Sequence, residues 1–169
     1  ADAAYGVYAT TDWLPYSWSI NNVVTQENLH AALALWQAGR SDEALTLTKS
    51  GFLASMFMGI SPGNLGTLAW PDVYRRESQR DFADSAGVTS RALVEGLFGL
   101  RPSALSKSLV IQPGFPASWD HAAIAHPVFG YTFRREAGVD RWSLKPADAR
   151  FEPVTLRLSA PRDTVEGVE

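Results

Sequence analysis

Acidic and basic side chains alternate in the segment from Leu65 to Gly87, "LGTLAWPDVYRRESQRDFADSAG". A neighbouring arginine favours the ionised form of a carboxylate, which suits a general base or a nucleophile and does not suit an acid. The segment therefore predicts a catalytic carboxylate, and we rank Asp72 first as the base. The further candidates, in order, are Asp84, Asp81 and Glu77.

A second interpretation fits the same interleaved charges. Carboxylates and arginines that alternate in a loop often form a solvated network of ion pairs, in which each pair contributes little to stability. The residue types alone leave both interpretations open.

Composition excludes several classes of function. The chain has 169 residues, 46% of them hydrophobic, and a net charge of −3, so it lacks the cationic field that nucleic acid or an anionic membrane surface requires. It contains no cysteine, and its three histidines match no zinc-binding spacing. No apolar run approaches the roughly 20 residues that cross a bilayer. We therefore expect no nucleic-acid partner, no membrane partner, no metal and no cofactor. The three histidines are His30, His121 and His126.

The first half of the chain predicts helices. Polar and acidic residues from Thr25 begin a helix that Gly39 ends, and an apolar stripe runs along one side of it. A second helix runs from Ser41 to about Met58. Its second half, "GFLASMFMG", is apolar on every side, which predicts burial all round. The stripe of the first helix consists of Leu29, Ala32, Leu33 and Trp36, and the buried side chains of the second should include Phe52, Met56 and Phe57.

A third helix is predicted over "GVTSRALVEGLFGL", with Val94, Leu97 and Phe98 facing inward. After Pro102 the pattern changes to short alternating runs separated by turn residues, which is typical of antiparallel strands. The predicted strands are 108–112, 128–135, 139–145 and 151–159. The side chains expected in their core are Val128, Tyr131, Phe133, Trp142 and Leu156.

These elements predict an α+β protein with a helical part over residues 1–105 and a β part over residues 106–169. The chain begins without methionine and ends at "TVEGVE", as if a strand were cut partway. We therefore expect it to be a piece of a longer or processed polypeptide.

The order of segments resembles that of a known family. A helical hairpin, an acidic segment with tryptophan, "EGLFGLRPSA" and "SLVIQPGFPASWDHAAIAHPVFGYTFRR" together resemble the C-terminal end of (α/α)6-barrel glycoside hydrolases. The resemblance is to α-L-rhamnosidase-like enzymes and their relatives, and it covers about Tyr16 to Leu158. In that pattern a "T-L-W-E" element carries a catalytic carboxylate. The corresponding stretch here runs from Thr67 to Asp72, "TLAWPD", and its acid is an aspartate.

The resemblance implies the terminal helices of an (α/α)6 barrel followed by an antiparallel β-sandwich segment. It implies a carbohydrate substrate and cleavage of a glycosidic bond by two carboxyl groups, one protonated and one ionised. Such a barrel needs about twelve helices, so the faces left open here would be covered by a second copy of the chain or by the rest of a barrel. The alternative is a noncatalytic carbohydrate- or protein-binding α+β module whose acids are structural.

Aromatic and amide side chains in predicted loops are the candidates for substrate binding. Sugar rings stack on tryptophan and tyrosine, while amide groups hydrogen-bond hydroxyls. The same rings also pack in protein cores, and asparagine also forms turns, so either role fits these types. The candidates are Trp13, Trp18, Asn21, Asn22, Trp70, Tyr74 and Arg75.

Overall fold

The structure is a computed structural model that describes residues 23–57, 83–146 and 150–159. Its architecture is α+β, as the sequence predicts, with three helices followed by two three-stranded sheets. The helices are α1 (Thr25–Gln37), α2 (Ser41–Phe52) and α3 (Ala83–Arg91). Two of them continue as π-helical segments, α2 over Leu53–Phe57 and α3 over Ala92–Leu97. Within these ranges no helix has the length and apolar character needed to cross a membrane.

The first two helices form a hairpin. The turn between them contains Gly39, whose φ of +76° lies in the left-handed region that glycine adopts at low cost. The predicted apolar stripe of α1 is buried, and it packs against Ala44 and Leu47 of α2. Helix α1 begins at Thr25, and Val24, not Thr25, occupies its N-cap position. Burial of these apolar side chains stabilises the hairpin.

The third helix begins at Ala83, before the predicted start at Gly87. Asp84 therefore lies in the first turn of a helix, where the sequence predicted a loop. The residues before Gly87 carry little apolar periodicity, so the pattern gave no sign of the extra turn. The buried side chain of Ser85 accounts for the extra turn of α3, because it is fully buried against α1.

The expectation that the second half of α2 is buried all round is wrong at Leu53, which is 42% exposed. Ala54 and Ser55 are buried, while Phe52 and Met56 are half-buried. Phe52 packs against the buried cluster that α1, α2 and the π-helical segment of α3 form. The side chain of Phe57 lies outside the described part.

In the described part of the chain, six strands follow the helices. Strands β1 (Leu100–Ser103), β2 (Ser108–Ile111) and β6 (Val154–Leu156) form one sheet, in which β2 pairs antiparallel with β1 and parallel with β6. Strands β3 (His121–Ile124), β4 (Phe129–Glu136) and β5 (Val139–Pro146) form an antiparallel meander. The predicted strands correspond to β2, β4, β5 and β6. The short β1 and β3 escaped prediction because neither shows a clear alternating pattern.

The buried faces of the two sheets share one core. Leu100, Leu109 and Ile111 of the first sheet pack with Phe129 and Tyr131 of the second. The predicted β-part core is confirmed. All five of its predicted side chains are buried or half-buried, and the half-buried ones pack against this cluster. The buried ones are Tyr131 and Phe133, and the half-buried ones are Val128, Trp142 and Leu156.

Trp36 connects the helices to the sheets. Its indole N–H donates a hydrogen bond of 3.0 Å to the carbonyl oxygen of Gly114, and its ring is 2% exposed. A Cβ atom added at Gly96 or Gly114 would collide with the indole ring, so both positions need glycine. Phe98 and Phe115 contact both the helical and the sheet core. The predicted helical and β parts therefore share packing at their junction.

Tyr131 gives a testable prediction about pH. Its hydroxyl donates a 2.7 Å hydrogen bond to the carbonyl oxygen of Phe98, and burial raises its pKa above the ordinary value of 10.0. Because the folded state holds this proton more tightly than the unfolded chain, the stability it contributes is present below pH 10 and is lost as the pH rises further.

We expect Tyr131→Phe to lower the free energy of unfolding by about 1 kcal/mol at pH 7. Above pH 10, the stability of the variant should also fall less steeply than that of the native protein. Urea unfolding at pH 7, 9.5 and 10.5 measures both effects. If the stability of the two proteins depends equally on pH, the raised pKa does not belong to Tyr131.

Candidate functional site

Three chain ends meet at one end of the helical layer. Helix α2 packs against α1 and runs antiparallel to it because a short turn joins them, so α2 ends on the side of the start of α1, and its π-helical segment continues in that direction. Helix α3 runs parallel to α1, since Ser85 contacts Gln26 at their starts and Gly96 contacts Trp36 at their ends. We call this end, which holds Thr25, Phe57 and Ala83, the attachment end. Residues 1–22 and 58–82 join the described chain there.

Most predicted site residues belong to those two joining segments. Among the candidate catalytic acids, Asp84 is the one that lies within the described residues. The remaining acids and all of the candidate substrate-binding residues lie outside them: Asp72, Asp81, Glu77, Trp13, Trp18, Asn21, Asn22, Trp70, Tyr74 and Arg75. Their roles therefore stay predictions.

Asp84 is exposed at the attachment end, in the first turn of α3. Glu27 occupies the matching first turn of the parallel helix α1 and is also exposed. Negative side chains are favoured at these positions, because the helix dipole places partial positive charge at a helix start. Asp84 thus has a structural role available to it in addition to any chemical one.

The interior of the attachment end contains buried polar side chains. Thr25, Asn28 and Ser85 are at most 1% exposed. The Asn28 side-chain amide donates to the carbonyl oxygen of Val24 at 2.9 Å, and the Ser85 hydroxyl donates to Gln26 Oε1 at 3.1 Å. Buried polar groups are stable only when they are hydrogen-bonded, so this end has specific polar contacts where the opposite end has an apolar core.

Ser55 differs from these groups. Its side chain is 2% exposed, and its hydroxyl has no hydrogen-bond partner within the part of the chain that the structure describes. It lies in the π-helical segment of α2, two residues before that segment ends. An unsatisfied buried hydroxyl costs about 1–3 kcal/mol, so the position is one that a polar ligand group or a water molecule would stabilise.

The sequence contained a signal for this polar interior that its interpretation missed. Thr25 and Asn28 lie one helical turn before Leu29 and Ala32, so they continue the buried stripe of α1 with polar side chains. A stripe that changes from apolar to polar at a helix start indicates a buried polar environment there. Thr25 was interpreted as part of the helix start only.

A concave surface lies on the β3–β4–β5 sheet, apart from the attachment end. Its volume is about 570 Å³, and its lining is mostly apolar or small. His126 at its edge accepts a hydrogen bond from the backbone N–H of Val128 at 3.3 Å, which orients the imidazole ring. The lining residues are Ala123, Ile124, Ala125, His126, Gly130, Tyr131, Thr132 and Lys145.

Within the three described ranges, no cluster of three or more His, Asp or Glu side chains has the arrangement of a metal site. Comparison with known proteins adds no relative: no protein-family model, curated protein or solved structure matches this chain.

Proposed function

We propose that this chain is part of a carbohydrate-active hydrolase that cleaves a glycosidic bond by two-carboxylate acid/base chemistry. The observation that carries the proposal is the meeting of three chain ends at the attachment end. Both segments that carry the predicted acids and aromatic rings join the helical layer there, one before Val23 and one between Phe57 and Ala83. Substrate sites of enzymes are commonly built from such joining segments on a rigid scaffold.

Two local features of the attachment end support the same proposal. Its polar interior, with a Ser55 hydroxyl that has no hydrogen-bond partner among the described residues, differs from the apolar packing around Trp36. The π-helical segment that contains Ser55 ends where the acidic segment begins, and π-helical turns occur frequently at functional sites.

The order of the layers also supports the proposal. A helical hairpin and then α3, which runs parallel to α1, lead into two sheets with a shared core. This is the order expected for terminal barrel helices followed by a β-sandwich. Fold order alone does not assign a function, so the chemistry of the acids must be tested directly.

In the proposed chemistry, Asp72 is the base and a second carboxyl group is the acid. The further candidates for the base are Asp84, at the attachment end, then Asp81 and Glu77, and the protonated group is one of the other carboxyl groups of this chain or of the rest of a barrel. The separation of the two groups would decide the outcome, because retaining glycosidases hold them about 5–5.5 Å apart and inverting ones about 6.5–9.5 Å apart.

The test is hydrolysis of a panel of aryl glycosides by the purified chain and by any longer polypeptide that contains it. We expect release of the aryl alcohol from at least one glycoside. Absence of hydrolysis by both proteins on every member of the panel would refute the enzyme proposal.

One observation favours the second candidate, a noncatalytic carbohydrate- or protein-binding α+β module. Asp84 is exposed and already favoured at a helix start by electrostatics, so it needs no catalytic role. Under this alternative a glycoside binds without turnover, and calorimetry with the same panel distinguishes it from the enzyme.

A further inference from the structure

The β3–β4–β5 sheet has an outer face, on the side opposite the shared core. Residues directly opposite each other on paired strands share a face, and Phe129, Tyr131 and Phe133 point into the core. The alternate positions therefore form the outer face. They are His121 and Ala123 on β3, Gly130, Thr132, Arg134 and Glu136 on β4, and Val139, Arg141, Ser143 and Lys145 on β5.

One row across this face consists of basic side chains. His121 is directly opposite Arg134, and Arg134 is directly opposite Arg141. Like charges directly opposite each other destabilise a sheet, so the pairing of Arg134 with Arg141 costs stability. Glu136 offsets part of the cost, but its carboxylate lies 3.7 Å from Arg134 Nη1 and 3.9 Å from Arg141 Nη1, beyond good hydrogen-bond distance.

The arginines of this row are available to a ligand. Arg134 and Arg141 have side chains 73% and 68% exposed. Each guanidinium carries five N–H donors, far more than one distant carboxylate can satisfy. Two adjacent guanidinium groups bind planar carboxylates well, because each can donate two parallel hydrogen bonds.

The same outer face continues into the concave surface of about 570 Å³. Its lining includes the small residues Ala123, Gly130 and Thr132, and Lys145 adds a third permanent cation four residues along β5 from Arg141. Four residues of strand span about 14 Å, so the basic row and Lys145 lie at opposite ends of one elongated surface.

Charge separates this surface from the rest of the molecule. Its outer-face positions carry three permanent cations and one acid, on a chain whose net charge is −3, and the Asp120 carboxylate lies 2.6 Å from His121 Nδ1 at the end of the basic row. We infer that the outer face of the β3–β4–β5 sheet binds a carboxylated polysaccharide, with uronate carboxylates on the arginines and on Lys145 and a sugar ring over the small residues between them. The choice of a glycan among polyanions rests on the proposed function.

The test is affinity electrophoresis of the chain in native gels that contain polygalacturonate. We expect the polymer to retard the native protein at low ionic strength. Retardation should decline steeply toward 0.5 M salt, because salt screens exposed charges. The double variant Arg134→Gln/Arg141→Gln should bind at least about tenfold more weakly, since it loses two charge-assisted contacts.

The matched control is Arg40→Gln/Arg157→Gln, which removes the same charge from exposed positions outside this face. It should bind polygalacturonate like the native protein, and thermal unfolding should show that both double variants are folded. Three results would overturn the inference: no retardation of the native protein, equal weakening in the control, or tighter binding of double-stranded DNA than of polygalacturonate. This assay measures binding without turnover. Absence of glycoside hydrolysis would therefore refute the proposed function, while binding of polygalacturonate to the outer face would still be established.

Discussion

Asp72→Asn is expected to lower glycoside turnover by about three orders of magnitude while leaving the melting temperature nearly unchanged. The amide keeps the shape of the carboxylate but loses the negative charge that activates water, and general base catalysis contributes about 10²–10⁴-fold to a rate. The measurement is kcat on the aryl glycoside that the native protein hydrolyses best, together with thermal unfolding of both proteins.

Two further variants make this test specific. Asp42→Asn removes an acid from the first turn of α2, at the end of the helical layer opposite the attachment end, and it should keep normal turnover. Asp84→Asn tests the second-ranked candidate for the base. A structural role for Asp72 predicts the reverse pattern, with a lower melting temperature and nearly normal turnover. That pattern would remove Asp72 from the proposed site.

Trp36→Ala is expected to lower the free energy of unfolding by about 3–5 kcal/mol, the usual cost of removing a fully buried large aromatic side chain. The indole ring fills the space between Gly96 and Gly114, and neither glycine has a side chain that could move into the cavity. The variant also leaves the carbonyl oxygen of Gly114 without its indole donor. Urea unfolding followed by circular dichroism measures the loss.

Leu105→Ala is the control, because Leu105 is fully exposed in the turn between β1 and β2 and should change stability by less than about 0.5 kcal/mol. Trp36→Phe should fall between the two, since it keeps an aromatic ring and loses the N–H donor. A loss below about 1 kcal/mol in Trp36→Ala would show that the junction between helices and sheets does not depend on this side chain.

The sequence predicted the elements whose periodicity reflects burial. The stripe from Leu29 to Trp36 identified α1, and the alternation around Tyr131 and Phe133 identified β4, because one face of each element must leave water. The α+β class followed from the change of pattern after Pro102. Elements without such a pattern were not predicted. Strands β1 and β3 are too short to show one, and the first turn of α3 depends on the buried hydroxyl of Ser85.

For the candidate site, the sequence by itself determined which types of side chain are present. Carboxylates, arginines and aromatic rings cluster in two segments. Only the tertiary structure decided that both segments join one end of the helical layer, because the directions of α2 and α3 relative to α1 depend on side chains far apart in the chain. The same holds for the basic row. Arg134 and Arg141 are separated by a turn in sequence, and the register of β4 with β5 places them directly opposite each other.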